Sequence, residues 1–346
     1  MIKSLTVKDF TVFSEARFDL GALNIIHGEN GAGKTHLLKL AYSVWSTLRP
    51  ETSAGAPERP TKKWLEPELG RKLTAVFRPD KLGRLARRMP GTAKASVNVR
   101  FDDKSLNTKF EFHTRSSSDV TVKSLPEAWA ELAPVYLPTR EALSVFPGFV
   151  SLYEGTRLPF DETWRDLCQQ LDARLLQGPR PAAVQHMLDP LSLALGGELR
   201  LEKDRFYLYL PSGRMEIDLV AEGVRKLAML AWLVATQKLQ SKGALFWDEP
   251  EANLNPKLVK LVAPVLIGLA RSGVQVFAAT HSLFLMRELH VLLQGADKGV
   301  KTRFIGLHLN DGEVTVDQGD TLDDSGEIST LDETLEQSER YLALEG

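Results

Sequence analysis

Nine consecutive residues, His27-Gly28-Glu29-Asn30-Gly31-Ala32-Gly33-Lys34-Thr35, concentrate groups able to hold a phosphate. Gly28, Gly33, Lys34 and Thr35 occupy the fixed positions of the pattern G-x-x-x-x-G-K-[ST]. Such a loop turns successive backbone N–H groups onto a polyphosphate, which needs glycine where the chain is strained or closely approached. The candidate nucleotide-binding residues are therefore Gly28, Glu29, Asn30, Gly31, Ala32, Gly33, Lys34, Thr35 and His36. Lys34 supplies a mobile positive charge to the β- and γ-phosphates, and Thr35 a hydroxyl to Mg²⁺ at the N-terminus of the following helix. A Gly-rich turn that matches by chance is the alternative.

Two further groups could complete a hydrolytic site. The run Gly243-Ala244-Leu245-Phe246-Trp247-Asp248-Glu249-Pro250 is apolar and ends in two carboxylates. Asp248 at a strand end can orient water on Mg²⁺, and Glu249 can polarise the attacking water as general base. The competing reading is a surface turn with both acids solvated. Thr280-His281-Ser282 follows a second apolar run, where an open α/β sheet places ligands. His281 can donate to the γ-phosphate or help position the water; otherwise it is a structural histidine satisfied by backbone carbonyls.

These groups need strands that end at one edge and helices that begin there. Residues 22–27 read as a buried strand and residues 36–42 as the start of an amphipathic helix that stops near Arg49-Pro50. Residues 2–8 and 14–19 alternate like half-buried strands and precede the loop; Phe10 and Phe13 between them are core residues or lean toward an adenine. Residues 51–60 form a loop. In the basic stretch 61–100, Lys81, Arg84 and Arg88 recur at helical spacing beside Arg87, a face for nucleic-acid phosphates, an acidic partner or solvent. A hairpin around Asp102-Asp103 and a strand near residues 120–122 suggest an antiparallel layer. Residues 134–138 return to the core, and Arg140 after them is a candidate phosphate contact or ion-pair partner. Residues 142–190 read as helical and residues 198–202 and 206–210 as strands. A long apolar helix over 224–239 and a strand over 274–279 complete the frame, with Pro256 in the first turn of a helix.

With 346 residues, 43% of them hydrophobic, the chain can bury a large core. The net charge of −2 conceals an asymmetry: residues 61–100 hold eleven Lys/Arg and three Asp/Glu, residues 311–346 twelve Asp/Glu and one Arg. Cys168 is the single cysteine, so no intrachain disulfide forms. No signal-peptide pattern opens the chain and no run reaches the roughly 18 apolar residues of a membrane span. A soluble, cytoplasmic protein without a membrane partner is expected. The expected divisions are 1–50, a lobe with the phosphate loop; 51–210, an inserted basic, strand and helical region; 211–310, a second nucleotide-binding lobe; and 311–346, a strand and an acidic tail. No heptad run supports a coiled coil.

The ordered set of Gly28 to Thr35, Phe246-Trp247-Asp248-Glu249-Pro250, Leu254-Asn255-Pro256 and Thr280-His281-Ser282 resembles the ATP-binding-cassette ATPases. It is similar in style to the stand-alone AAA-labelled branch related to RecF, the OLD nucleases and the structural-maintenance-of-chromosomes proteins. The resemblance implies an α/β P-loop NTPase head with a mixed central sheet, an antiparallel strand layer and a helical subdomain, acting on ATP with Mg²⁺. It also implies a signature segment, matched by Val220-Ala221-Glu222-Gly223-Val224-Arg225-Lys226, in which Gly223 contributes N–H groups to ATP across a head-to-tail homodimer. Ala221 stands where a serine is usual, and Arg225 or Lys226 would offset Glu222. No glutamine lies between Thr35 and Cys168, so the family's Gln sensor is absent or replaced, with Arg78, Asp80 and Arg140 as substitutes. The functional expectation is a dimeric ATPase switch or sensor that regulates a separate effector such as a nuclease or toxin, in bacterial defence against phage. The alternative is a RecF-like DNA-repair ATPase using the stretch 61–100; a transporter subunit is disfavoured by the strands before Gly28. The acidic tail reads as solvated or partner-binding, without a strand and helix scaffold to hold metals.

Overall fold

The computed structural model describes residues 1–50, 55–87, 92–175, 178–295 and 299–345. The chain opens with the antiparallel pair β1 (Ile2–Phe10) and β2 (Phe13–Asp19), whose alternating burial puts one face on the core. Then follow β3 (Leu23–Gly28), α1 (Lys34–Thr47) and α2 (Lys62–Phe77). β4 (Lys94–Phe101), β5 (Thr108–His113) and β6 (Thr121–Ser124) extend the first pair into a five-stranded antiparallel sheet of order β2-β1-β4-β5-β6.

The chain returns through β7 (Val135–Leu137) into α3 (Phe149–Gly155), α4 (Glu162–Leu171) and α5 (Ala182–Leu195). β8 (Glu198–Glu202), β9 (Arg205–Leu210) and β10 (Gly213–Glu216) make a small antiparallel sheet before α6 (Glu222–Ala235). The remainder alternates: β11 (Ala244–Asp248), α7 (Pro256–Arg271), β12 (Gln275–Ala279), α8 (Leu283–Gln294), β13 (Thr302–Asn310), β14 (Glu313–Gly319) and α9 (Ser329–Glu345).

The central sheet has the order β14-β13-β3-β12-β11-β7 and is parallel from β13 to β7, with β14 antiparallel at the edge. Its parallel strands are apolar on both faces because both are covered. Leu23, Ile25, Leu245 and Trp247 face a core shared with α4 to α8, whereas Ile26, Phe246, Phe277 and Ala279 face one shared with α1, α2 and the antiparallel sheet. Phe246 and Phe277 stack on that second face at 4.5 Å. Buried Gln275 joins the sheets, accepting from Ile2 N at 2.6 Å and donating to Ile2 O and Gly21 O. β3, β11 and β12 therefore present their carboxyl ends at one edge, where an open α/β sheet binds ligands.

Several expectations are corrected. The helical face of Lys81, Arg84 and Arg88 does not form. Pro79 disfavours helical geometry at the preceding residue, and α2 ends with Arg78 in the left-handed region (φ 56°). Lys81 precedes a short 3₁₀ turn, Leu82–Leu85, that contains Arg84, and Arg88 lies outside the described residues. Part of the positive charge of this stretch is internal. Buried Lys72 bonds Glu162 at 2.9 Å and Asp166 at 2.5 Å, and Arg71 pairs with Glu162 at 3.0 Å. Phe10 and Phe13 are fully buried core residues. α6 ends at Ala235, four residues before its expected end, and Gln237 takes φ 54°. Beyond β14 the acidic tail holds a 3₁₀ turn, Leu322–Ser325, capped by Thr321 and Asp324, that leads to α9. Of the loop expected over 51–60, residues 51–54 lie outside the described residues. Among the described residues no helix is long and apolar enough to cross a membrane.

Candidate functional site

β3 delivers the chain into the glycine loop, and α1 starts directly after it. Gly28, Gly31 and Gly33 have φ values of 138°, 88° and 99°, a region that side chains rarely enter. A Cβ on Gly28 would lie 2.1 Å from Leu307 O, and one on Gly33 2.7 Å from Phe13 and Val12, so the loop is seated on β13 and on the first hairpin. At Gly31 a Cβ would meet nothing within 4 Å; that side of the loop is open to a ligand. Lys34 crosses beneath it and donates to Gly28 O at 2.7 Å and Glu29 O at 3.0 Å. Burial pushes the Lys34 ammonium down, against the opposing pull of Glu249, Asp248, Glu251 and Glu29. His36, one residue past Thr35, packs its ring 5.8 Å from Phe77, and burial lowers its affinity for a proton.

Thr35 and Asp248 come together although 213 residues separate them. Thr35 Oγ1 donates to Asp248 Oδ2 at 2.8 Å. The Tyr136 hydroxyl, on β7 beside β11, reaches the same oxygen at 3.4 Å. Asp248 is 8% exposed. Burial raises its pKa, a shift that Glu249 reinforces and the Thr35 and Tyr136 hydrogen bonds oppose. A hydroxyl and a carboxylate side by side are the hard oxygen donors that Mg²⁺ prefers, so these residues fit that ion.

Glu249 sits in the left-handed region (φ 50°), its N–H donating to Ala279 O at 2.8 Å. A non-glycine residue held there stores backbone strain, which clusters at functional positions. From this turn Glu249 reaches the end of β12, where His281 Nδ1 lies 3.5 Å from Glu249 Oε1. The His281 side chain is half exposed and that of Glu249 about a third, so both meet solvent.

Three residues with parts in this arrangement went unassigned or misassigned in the sequence. Glu251 Oε1 accepts from Thr280 Oγ1 at 2.7 Å, His281 N at 3.1 Å and Ser282 N at 3.2 Å; its signal was a third acid close behind Asp248-Glu249. Lys226, expected to offset Glu222, instead runs from α6 beneath the acidic turn and donates to Glu249 O at 2.5 Å and Ala252 O at 3.3 Å. Burial pushes it down to about 8. Tyr136 had no local signal. Arg225, the other expected offset to Glu222, pairs with Glu141 at 2.8 Å.

Gly223 is buried in the first turn of α6, where a Cβ would lie 2.4 Å from Asn253 O; the glycine lets α6 approach the turn after Glu249. Ala221 caps α6 without a side-chain hydrogen bond. Arg78 donates to Leu158 O at 3.0 Å, and Asp80 and Arg140 are exposed.

Residues 170–287 match the family model described as "AAA domain, putative AbiEii toxin, Type IV TA system". The match includes Gly223, Asp248, Glu249 and His281 and begins after the phosphate loop. No curated protein matches the chain significantly. Among solved structures, the chain is similar to the SmcHead bound to the C-winged helix domain of ScpA, with 14% identity, 93% of this chain and 98% of that chain covered, and a TM-score of 0.57. It is also similar to an Smc head domain with an extended coiled coil bound to the C-terminal domain of ScpA derived from Pyrococcus furiosus, with 12% identity, 98% and 99% covered, and a TM-score of 0.53. At such identities the likeness is one of fold: the architecture is that of an Smc-type head, a P-loop NTPase fold with the mixed sheet, antiparallel layer and helical region expected from the resemblance.

Proposed function

We propose that this chain hydrolyses ATP with Mg²⁺, and that it works as a dimeric switch regulating a separate effector protein, such as a nuclease or toxin, in bacterial defence against phage. The observation that carries the ATPase reading is the convergence of Thr35, Asp248, Glu249 and His281 at the carboxyl ends of β3, β11 and β12. Gly28 to Thr35 hold the phosphates, with Lys34 at the β- and γ-phosphates and His36 following at the start of α1. Thr35 and Asp248 would hold Mg²⁺, which when bound neutralises charge on the phosphates. Glu249 takes a proton from the attacking water as its oxygen bonds to the γ-phosphorus. The bond to the β–γ bridging oxygen breaks, leaving ADP and phosphate, while His281 holds the γ-phosphate or the water.

The placement of α6 supports the dimer reading. Its signature-like N-terminus, with Gly223, offers N–H groups to ATP bound by a second copy, and the turn that carries Glu249 packs against the same helix. The family model's description, which names a putative toxin of a Type IV TA system, supports a defence setting; the separate effector rests on analogy with the stand-alone ATPases that the sequence resembles. The test is native pull-down and mass spectrometry of Glu249→Gln with ATP, alongside turnover assays. A trapped dimer that retains a neighbouring gene product supports the proposal. Turnover stimulated by duplex DNA, falling steeply with salt, favours the RecF-like reading instead, and copurification with a membrane permease overturns both.

A further inference from the structure

Glu251 takes no part in the steps above, yet its carboxylate joins two segments that do. One oxygen, Oε1, receives the Thr280 hydroxyl at 2.7 Å and the backbone N–H groups of His281 and Ser282 at 3.1 and 3.2 Å. The other, Oε2, is buried without a hydrogen-bond partner. Ser282 is the N-cap of α8, so the carboxylate lies against the positive end of that helix, where negative charge is favoured.

Glu251's own segment is held just as closely. Glu249 N donates to Ala279 O, Ala252 N to Glu249 O and Leu254 N to Glu251 O, while Lys226 binds Glu249 O and Ala252 O from below. A carboxylate fixed in this turn, and bonded to the backbone on both sides of the His281 Cα, leaves little freedom in the 3.5 Å approach of His281 to Glu249. Preorganisation of this kind contributes to catalysis through geometry and leaves ground-state binding unchanged.

We propose that Glu251 is a positioning residue, a brace that ties the turn presenting Glu249 to the backbone presenting His281. The inference rests on the assignment of Glu249 and His281 above. It is tested by steady-state ATP turnover in Glu251→Ala, Glu251→Gln and Thr280→Val. Alanine removes every acceptor and is expected to lower kcat by about 30-fold or more, with KM for ATP within about threefold of wild type. Glutamine keeps an acceptor oxygen for all three donors and is expected to retain kcat within about fivefold. Thr280→Val, which deletes the shortest of the three bonds at constant volume, should fall between them and keeps the test valid if the alanine variant does not fold.

Wild-type kcat in Glu251→Ala or, where that variant does not fold, in Thr280→Val overturns the brace. So does a Glu251→Gln variant as inactive as Glu251→Ala, because the charge rather than the bonding would then be required. Loss of kcat in step with a rise in KM and a fall in Tm also overturns it, since that is the mark of a merely structural contact. Glu249→Gln, measured in parallel, separates the two levels. Full turnover there removes the underlying assignment, whereas loss of turnover there with an active Glu251→Ala removes the brace alone.

Discussion

Lys226→Met exchanges a buried ammonium for an apolar chain of similar length, and the size of its effect follows from the surroundings of Lys226. The side chain is 1% exposed, and burial lowers its pKa from 10.5 to about 8 although Glu251, Glu249, Glu222 and Asp248 oppose the shift. Below about pH 8 the lysine is protonated in both the folded and unfolded chain, and the full cost of burying the charge, about 3 kcal/mol, is present. Between about 8 and 10.5 the unfolded chain binds more protons than the folded one, so this residue makes stability rise with pH; above 10.5 the cost has gone. Methionine removes that dependence but leaves Ala252 O without its Lys226 donor, a loss of about 1–3 kcal/mol that offsets part of the relief, while Glu249 O keeps the Ala252 N–H. Urea unfolding of both proteins at about pH 7.5 and about pH 9.5 isolates the residue, since other titrations cancel in the difference. Wild type should gain about 2 kcal/mol on Lys226→Met across that interval. Parallel stability curves would refute a desolvated, charged Lys226 under the acidic turn.

Two further outcomes follow. Tyr136→Phe removes the donor 3.4 Å from Asp248 Oδ2 but keeps the ring packed 5.3 Å from Tyr42. A bond to the ionised form lowers a carboxyl pKa, so its loss should move the acid limb of the ATP-turnover pH profile upward and raise the Mg²⁺ requirement; an unmoved limb and Mg²⁺ titration would show that Tyr136 does not set Asp248. Gly28→Ala places a Cβ 2.1 Å from Leu307 O at a φ of 138°. It should cost about 3 kcal/mol or more and abolish nucleotide binding, as read by denaturant unfolding and a fluorescent-nucleotide titration.

What could be read in the sequence was what is local. The strand, glycine loop and helix from Leu23 to Thr47 form one continuous unit, and each of its signals, an apolar run, glycines at fixed offsets and a 3.6-residue period, lies within a few residues of what it specifies. The same holds for Asp248-Glu249 and Thr280-His281, which end apolar runs that can only be buried strands. The failures come from contacts distant in the chain. Lys72 counted toward an exposed basic stretch because its partners, Glu162 and Asp166, lie 90 and 94 residues away. Glu251 meets Thr280 and His281 only because β11 and β12 pair in parallel, and Tyr136 meets Asp248 only because β7 joins the edge of the same sheet. Lys226 read as part of a signature segment at α6, while its long side chain serves the turn beneath. Periodicity identifies a helix, but not where the tip of a lysine on it will find a carbonyl.

Gly28 to Thr35, Asp248, Glu249 and His281 are proposed to form one site for ATP hydrolysis. The most direct test of that proposal is phosphate release from ATP in the presence of Mg²⁺, comparing the wild-type chain with Glu249→Gln at matched nucleotide occupancy. The expected result is slow turnover by the wild type, and in the variant unchanged ATP binding with phosphate release reduced by about 100-fold or more. Turnover in Glu249→Gln equal to wild type would contradict it.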